Sequence, residues 1–132
     1  MGDRPDISMT AAEITAFLAT QRRVVVTALD GAAPVGTVAA GRLDAGELEV
    51  TLRTDDDVRA LLASDDRVCV IAEQFPSYYE IKAVCAHGSA RFVDGGAGAV
   101  FRVGLDDVTS FDFGKLPRKG AGSGTTRERD TG

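Results

Sequence analysis

Arg53 and Thr54 fall between a β-type run at 48–52 and a helix-type run at about 54–63, with a second β-type run at 67–72 behind them. A loop at a helix N-terminus presents unpaired backbone N–H groups and the positive end of the helix dipole, the usual means of holding a phosphate or another anion. Arg53 and Arg59 add guanidinium groups suited to gripping phosphate through two parallel hydrogen bonds. Asp55, Asp56 and Asp57 occupy the same helix start and oppose an anion there. Two like charges a few ångströms apart cost on the order of 1–4 kcal/mol at effective dielectrics of roughly 80 to 20. The aspartates have a second role available, as helix-favouring residues of a first turn pointing into water.

The remaining reactive side chains are few. His87 is the only histidine, so neither a His-rich metal site nor a Ser-His-Asp set can be assembled without it. Its place in a half-buried strand favours a neutral, hydrogen-bonded structural histidine. It is also the sole axial-ligand candidate for a haem. Cys69 and Cys85 sit in apolar runs without CxxC spacing and read as small buried hydrophobes. They form a zinc site only if they approach His87 and a carboxylate, so the spacing alone specifies no metal. Along 78–83, alternation sets Tyr79, Ile81 and Ala83 on one face and Glu80 and Lys82 on the other. Lys82 beside a flat ligand would reach a carbonyl or phosphate; as part of an ordinary strand it faces solvent. The glycines at 95–98 do not lead from a strand into a strong helix, and no GxxxxGK[ST] is present, so neither nucleotide fingerprint applies. No catalytic residue is identified.

The elements that would position these groups follow from pattern. Thr10 and Glu13 fit a capping box ahead of Ile14, Phe17 and Leu18, which predicts an amphipathic helix over 10–21. Strands are expected at 24–29, 35–43, 48–52, 67–72 and 78–93, the last with a bulge at Gly88, and a sixth within 102–113. The glycine loop at 95–98 leads at most into a weak helical turn up to Phe101. Six short, mostly antiparallel strands with close turns point to a closed or partly closed barrel, and closure removes the exposed edges of Val-rich strands. Residues 1–9 read as a flexible lead-in, 10–116 as one domain, and 117–132 as a disordered tail rich in glycine and charge.

Composition narrows the functional classes. The net charge is −5, with five basic and two acidic residues after 113, so the body is more acidic than the whole. An acidic body argues against a nucleic-acid groove, which needs clustered Lys and Arg. No apolar run reaches the ~18 residues of a membrane helix, and the N-terminus lacks a signal-peptide pattern, so a cytoplasmic protein is expected.

Taken in order, the leading helix, the strand pair around Gly31-Ala32-Ala33-Pro34, the unit at 48–71, SYYEIKAVCAHGSA (77–90) and FDFGK (111–115) resemble a known family. It is the FMN-binding split-barrel family that includes pyridoxamine 5'-phosphate oxidase, and more narrowly its small actinobacterial-type members. The likeness covers roughly residues 10–116, and Asp65-Asp66-Arg67-Val68 stands where the family usually has Asp-Pro-Arg-Val. The resemblance implies a mainly β (α+β) fold, a six-stranded antiparallel split β-barrel with two to three short flanking helices. It also implies a homodimer with flavin sites at the subunit interface and an FMN-dependent oxidoreductase acting on a small molecule. Cofactor contacts would come from Thr37 and Val38, from Thr51, Arg53 and Thr54, from Arg59, and from Lys82 near the ring. The sequence departs from the family where the phosphate is gripped: Asp56 replaces a Ser or Thr, Val58 a Lys, and Leu61 an Asn. The same fold with F420 or haem, or a cofactor-free binding or regulatory dimer, therefore stays open beside FMN.

Overall fold

The structure is a computed structural model and describes residues 6–74, 81–94 and 98–116. Helix α1, Ala11–Thr20, begins where the capping box requires: Thr10 accepts a hydrogen bond from the Glu13 amide, and Glu13 accepts one from the Thr10 amide. Its Phe17 and Leu18 are buried, as the helical spacing predicts.

Strands β1 (Arg23–Asp30), β2 (Ala33–Asp44) and β3 (Glu47–Leu52) form an antiparallel meander. The first turn is tighter than expected, because Ala33 and Pro34 already pair with Asp30 and Leu29 and leave only Gly31 and Ala32 at the corner. The second turn holds two positive-φ residues, Ala45 at 50° and Gly46 at 79°. Two such residues in succession match the right-handed twist of the flanking strands. Helix α2 (Asp57–Ser64) and strand β4 (Arg67–Gln74) follow. Strands β5 (Lys82–Asp94), β6 (Ala99–Val103) and β7 (Asp107–Asp112) complete the sheet.

The barrel closes through a single long strand. β5 pairs with β4 over 82–89 and with β6 over 90–94, so the order β1–β2–β3–β6–β5–β4 returns to β1. This is the expected six-stranded antiparallel barrel. β7 lies outside the ring and pairs with the first half of β5.

Several expected boundaries need correction. The strand expected within 102–113 is β7, whereas β6 is an additional strand that stands where a helical turn towards Phe101 is expected. The bulge falls between Phe92 and Asp94, not at Gly88, which pairs regularly with Val68. Residues 6–9 are not a loose lead-in. Met9 is buried, its amide donates to Ser110 Oγ, and the Asp112 amide donates to the Ile7 carbonyl. The expectations for Tyr78, Tyr79, Glu80, the glycines at 95–97 and the tail 117–132 lie outside the described residues.

The interior is built largely from Val, Ala and Leu side chains. Val26, Val50, Val70, Ala86 and Val103 are fully excluded from solvent. Gly41 permits a close crossing, since a Cβ there would stand 2.9 Å from Val24 Cγ2.

Candidate functional site

The helix start is the first place to look for an anion site. α2 begins at Asp57, three residues later than expected, and Asp56 is its N-cap. Asp56 Oδ1 accepts the Val58 amide at 2.8 Å, and its Oδ2 accepts the Thr37 hydroxyl of β2 at 3.0 Å. The groove is about 290 Å³ and is lined by Gly36, Thr37, Arg53, Asp55, Asp56 and Val58 among others. A protein carboxylate therefore already holds the amide that an incoming anion would use. Arg53 is committed as well, with Nε 3.1 Å from Asp55 Oδ1 and Nη2 3.0 Å from Oδ2. That pairing raises the Arg53 guanidinium above its ordinary range and lowers Asp55 below its own. The groove is a set of satisfied charges with acid in excess.

The other expected contact residues divide. Thr37 and Arg53 meet at this groove, and Val38 is next to it, 62% exposed. Thr54 is exposed in the turn before α2, and Arg59 is exposed on α2 with no ion pair among the described residues. Thr51 is exposed on β3 opposite Ala40 and belongs to a separate depression with Arg22 and Arg42. Lys82 is not brought to the groove: it lies on β5, across from Gln74 and Asp112, with β1 and β4 between it and β2. Val58 is 1% exposed and Leu61 packs against the core, so both serve α2 packing rather than a ligand.

A second cluster lies on the outer face of β4 and β5. Cys69 pairs in register with His87, and Cys85 stands two residues from His87 on the same side of β5. The Cys69 and Cys85 sulfurs are 2.7 Å apart, and Cys85 Sγ is 3.4 Å from His87 Nε2. Burial, with the Cys69 thiol and Asp107 adding to it, pushes the Cys85 thiol up to about 12. Cys85 is thus protonated at neutral pH and is a poor nucleophile. An open groove of about 920 Å³ adjoins Cys69, His87 and Asp107 and runs between Thr27 of β1 and Asp106 of the β6–β7 turn. The sequence alone does not bring the three residues together, because β4 and β5 are joined only through their register. The i, i+2 spacing of Cys85 and His87 is the one local sign of the cluster.

No family profile and no curated protein sequence matches this chain. Its fold, however, matches solved structures over nearly their whole length. A conserved hypothetical protein of Mycobacterium tuberculosis, Rv2991, superposes with a TM-score of 0.76 at 19% identity, covering 96% of this chain and all of that one. An FAD-binding protein of Mesorhizobium loti superposes at 0.69 with 12% identity, over 78% of this chain and 94% of the other. A candidate pyridoxamine 5'-phosphate oxidase of Corynebacterium glutamicum gives 0.63 at 11% identity, over 85% and 98%.

Proposed function

We propose that the protein is a flavin-binding oxidoreductase of the split-barrel type, acting on a small molecule as a homodimer. The observation that carries this reading is the barrel itself, shared across most of both chains with a protein described as FAD-binding. A bound flavin supplies hydride and electron transfer, and the protein's part is to hold and orient it. The chain fits the two ends of such a ligand unequally. Exposed Val38 offers apolar surface for a ring, and the exposed Thr51 hydroxyl offers a hydrogen-bond partner. The helix start does not fit a phosphate dianion, because Asp56 already caps the helix and Asp55 already neutralises Arg53. The phosphate of FMN therefore gains nothing at this groove, and Arg59, exposed on α2, is the guanidinium we assign to it. F420 ranks lower, since its acidic tail meets the same carboxylates. Haem would need His87, which instead lies against the Cys85 thiol. For the dimer, outward-facing Val25, Val38 and Ile71 on β1, β2 and β4 supply an apolar face for a second copy.

The capped helix start also favours a second reading, a cofactor-free small-molecule-binding dimer. Visible absorption of the purified protein separates the two, followed by fluorescence titration with riboflavin, FMN and FAD. A flavin band, or micromolar binding of any of the three, is expected. Failure of all three at micromolar concentration overturns the flavin reading and leaves the cofactor-free one. Light scattering should give twice the chain mass.

A further inference from the structure

We propose that Cys69, Cys85 and His87 form a three-ligand site for a soft divalent ion of the zinc class, with a fourth position open to water beside Asp107. The inference does not rest on the flavin reading, because it shares no residue with the helix-start groove. Cys69 Sγ, Cys85 Sγ and a ring nitrogen of His87 all lie within 4.8 Å of one another. Two hydrogen-bonded strands fix them: Cys69 is opposite His87, and Cys85 is the next residue along β5 on the same face.

The donor set selects the ion. Two sulfurs and an imidazole suit zinc and its chemical relatives, whereas magnesium and calcium prefer oxygen. Tetrahedral bonds of about 2.3 Å to sulfur and about 2.0 Å to nitrogen place ligand atoms roughly 3.5–3.8 Å apart. The Cys85–His87 separation of 3.4 Å is already close to that value. The two sulfurs, 2.7 Å apart, must open by about 1 Å, which a small side-chain rotation supplies without moving the strands. Binding displaces both thiol protons to solvent and leaves two thiolates on the ion.

A disulfide fits the register less well. Cys69 and Cys85 are diagonal neighbours, with Ile71, not Cys69, directly opposite Cys85. Diagonal positions on antiparallel strands are roughly 7–8 Å apart, beyond the usual Cα span of a disulfide at about 4.4–6.8 Å. On the far side of β5, Asp107 of β7 is the register partner of His87. It lines the same groove as Cys69 and His87, which makes it the candidate partner for a metal-bound water. Three protein ligands and one open position is the arrangement of catalytic rather than structural zinc.

Cobalt(II) titration of the reduced full chain tests the site. The expected result is a saturable spectrum at one equivalent per chain, with strong visible bands of four-coordinate cobalt and a near-ultraviolet thiolate charge-transfer band, both bleached by zinc. His87→Gln changes an exposed residue and leaves the core intact. It should weaken cobalt binding by more than roughly 100-fold, with circular dichroism unchanged. Cys69→Ser should abolish the charge-transfer band or weaken it severely. A weak six-coordinate spectrum without a thiolate band overturns the proposal. So does zinc affinity that is unchanged in both variants, or a Cys69–Cys85 disulfide that persists while the reduced protein takes up no cobalt.

Discussion

Asp56 decides what the helix start can bind. It caps α2 through the Val58 amide and ties the helix to β2 through the Thr37 hydroxyl. Serine is an equally good N-cap, so Asp56→Ser keeps the helix and removes the charge. Relieving one like-charge contact of about 1–4 kcal/mol should raise FMN affinity relative to riboflavin roughly fivefold or more, since about 1.4 kcal/mol is a factor of ten. Parallel fluorescence titrations of both flavins against wild type and variant measure that ratio. A ratio identical in the two proteins would place the flavin phosphate elsewhere. Asp56→Ala should instead destabilise the fold by about 1 kcal/mol, because the cap and the tie to Thr37 disappear together.

At the scale of elements, what was legible is what local chemistry decides. Thr10 and Glu13 identify the start of α1 in the sequence, and the structure has both reciprocal hydrogen bonds. Thr10→Ala should cost about 1 kcal/mol and lower the melting temperature by roughly 3–6 °C; no measurable change would mean that Lys115, 2.6 Å from Glu13, holds the helix start unaided. The start of α2 was not legible in the same way. Asp55, Asp56 and Asp57 are all competent N-caps, and the choice among them falls to Thr37, 19 residues earlier on another strand. β6 was hidden because its five residues follow the glycines at 95–98 and carry little local signal, whereas its pairing with β3 and β5 makes it a strand. The approach of the two cysteines to His87, named in the sequence only as a condition, was undecidable there for a related reason. The spacing of 16 residues between the cysteines matches no metal motif, and only the pairing of β4 with β5 closes the distance.

Across the whole molecule, an acidic chain holds its barrel partly through ion pairs between strands distant in sequence. Arg102 of β6 reaches Asp44, Glu47 and Glu49 across the β2–β3 hairpin, and Arg91 of β5 joins it at Glu47. Hydrogen bonds first from Arg91 and then from Arg102 hold Glu47 at about 2, against an ordinary value of 4.5. Asp65 is lowered to about 2 in the same way by Arg67. A carboxyl lowered on folding stabilises the native state above its unfolded value, and that contribution is lost as pH falls through the folded value. For Glu47 the loss should run between about pH 4.5 and about pH 2. Urea unfolding of wild type and Glu47→Gln across this range gives the test. The variant should be less stable at pH 7, and the difference should shrink steadily below pH 4.5 and vanish near pH 2. These groups are open to solvent, so added salt should narrow the pH 7 difference by screening. A gap that persists at pH 2, or that ignores salt, would show that Glu47 acts through side-chain packing at the hairpin rather than through its charge.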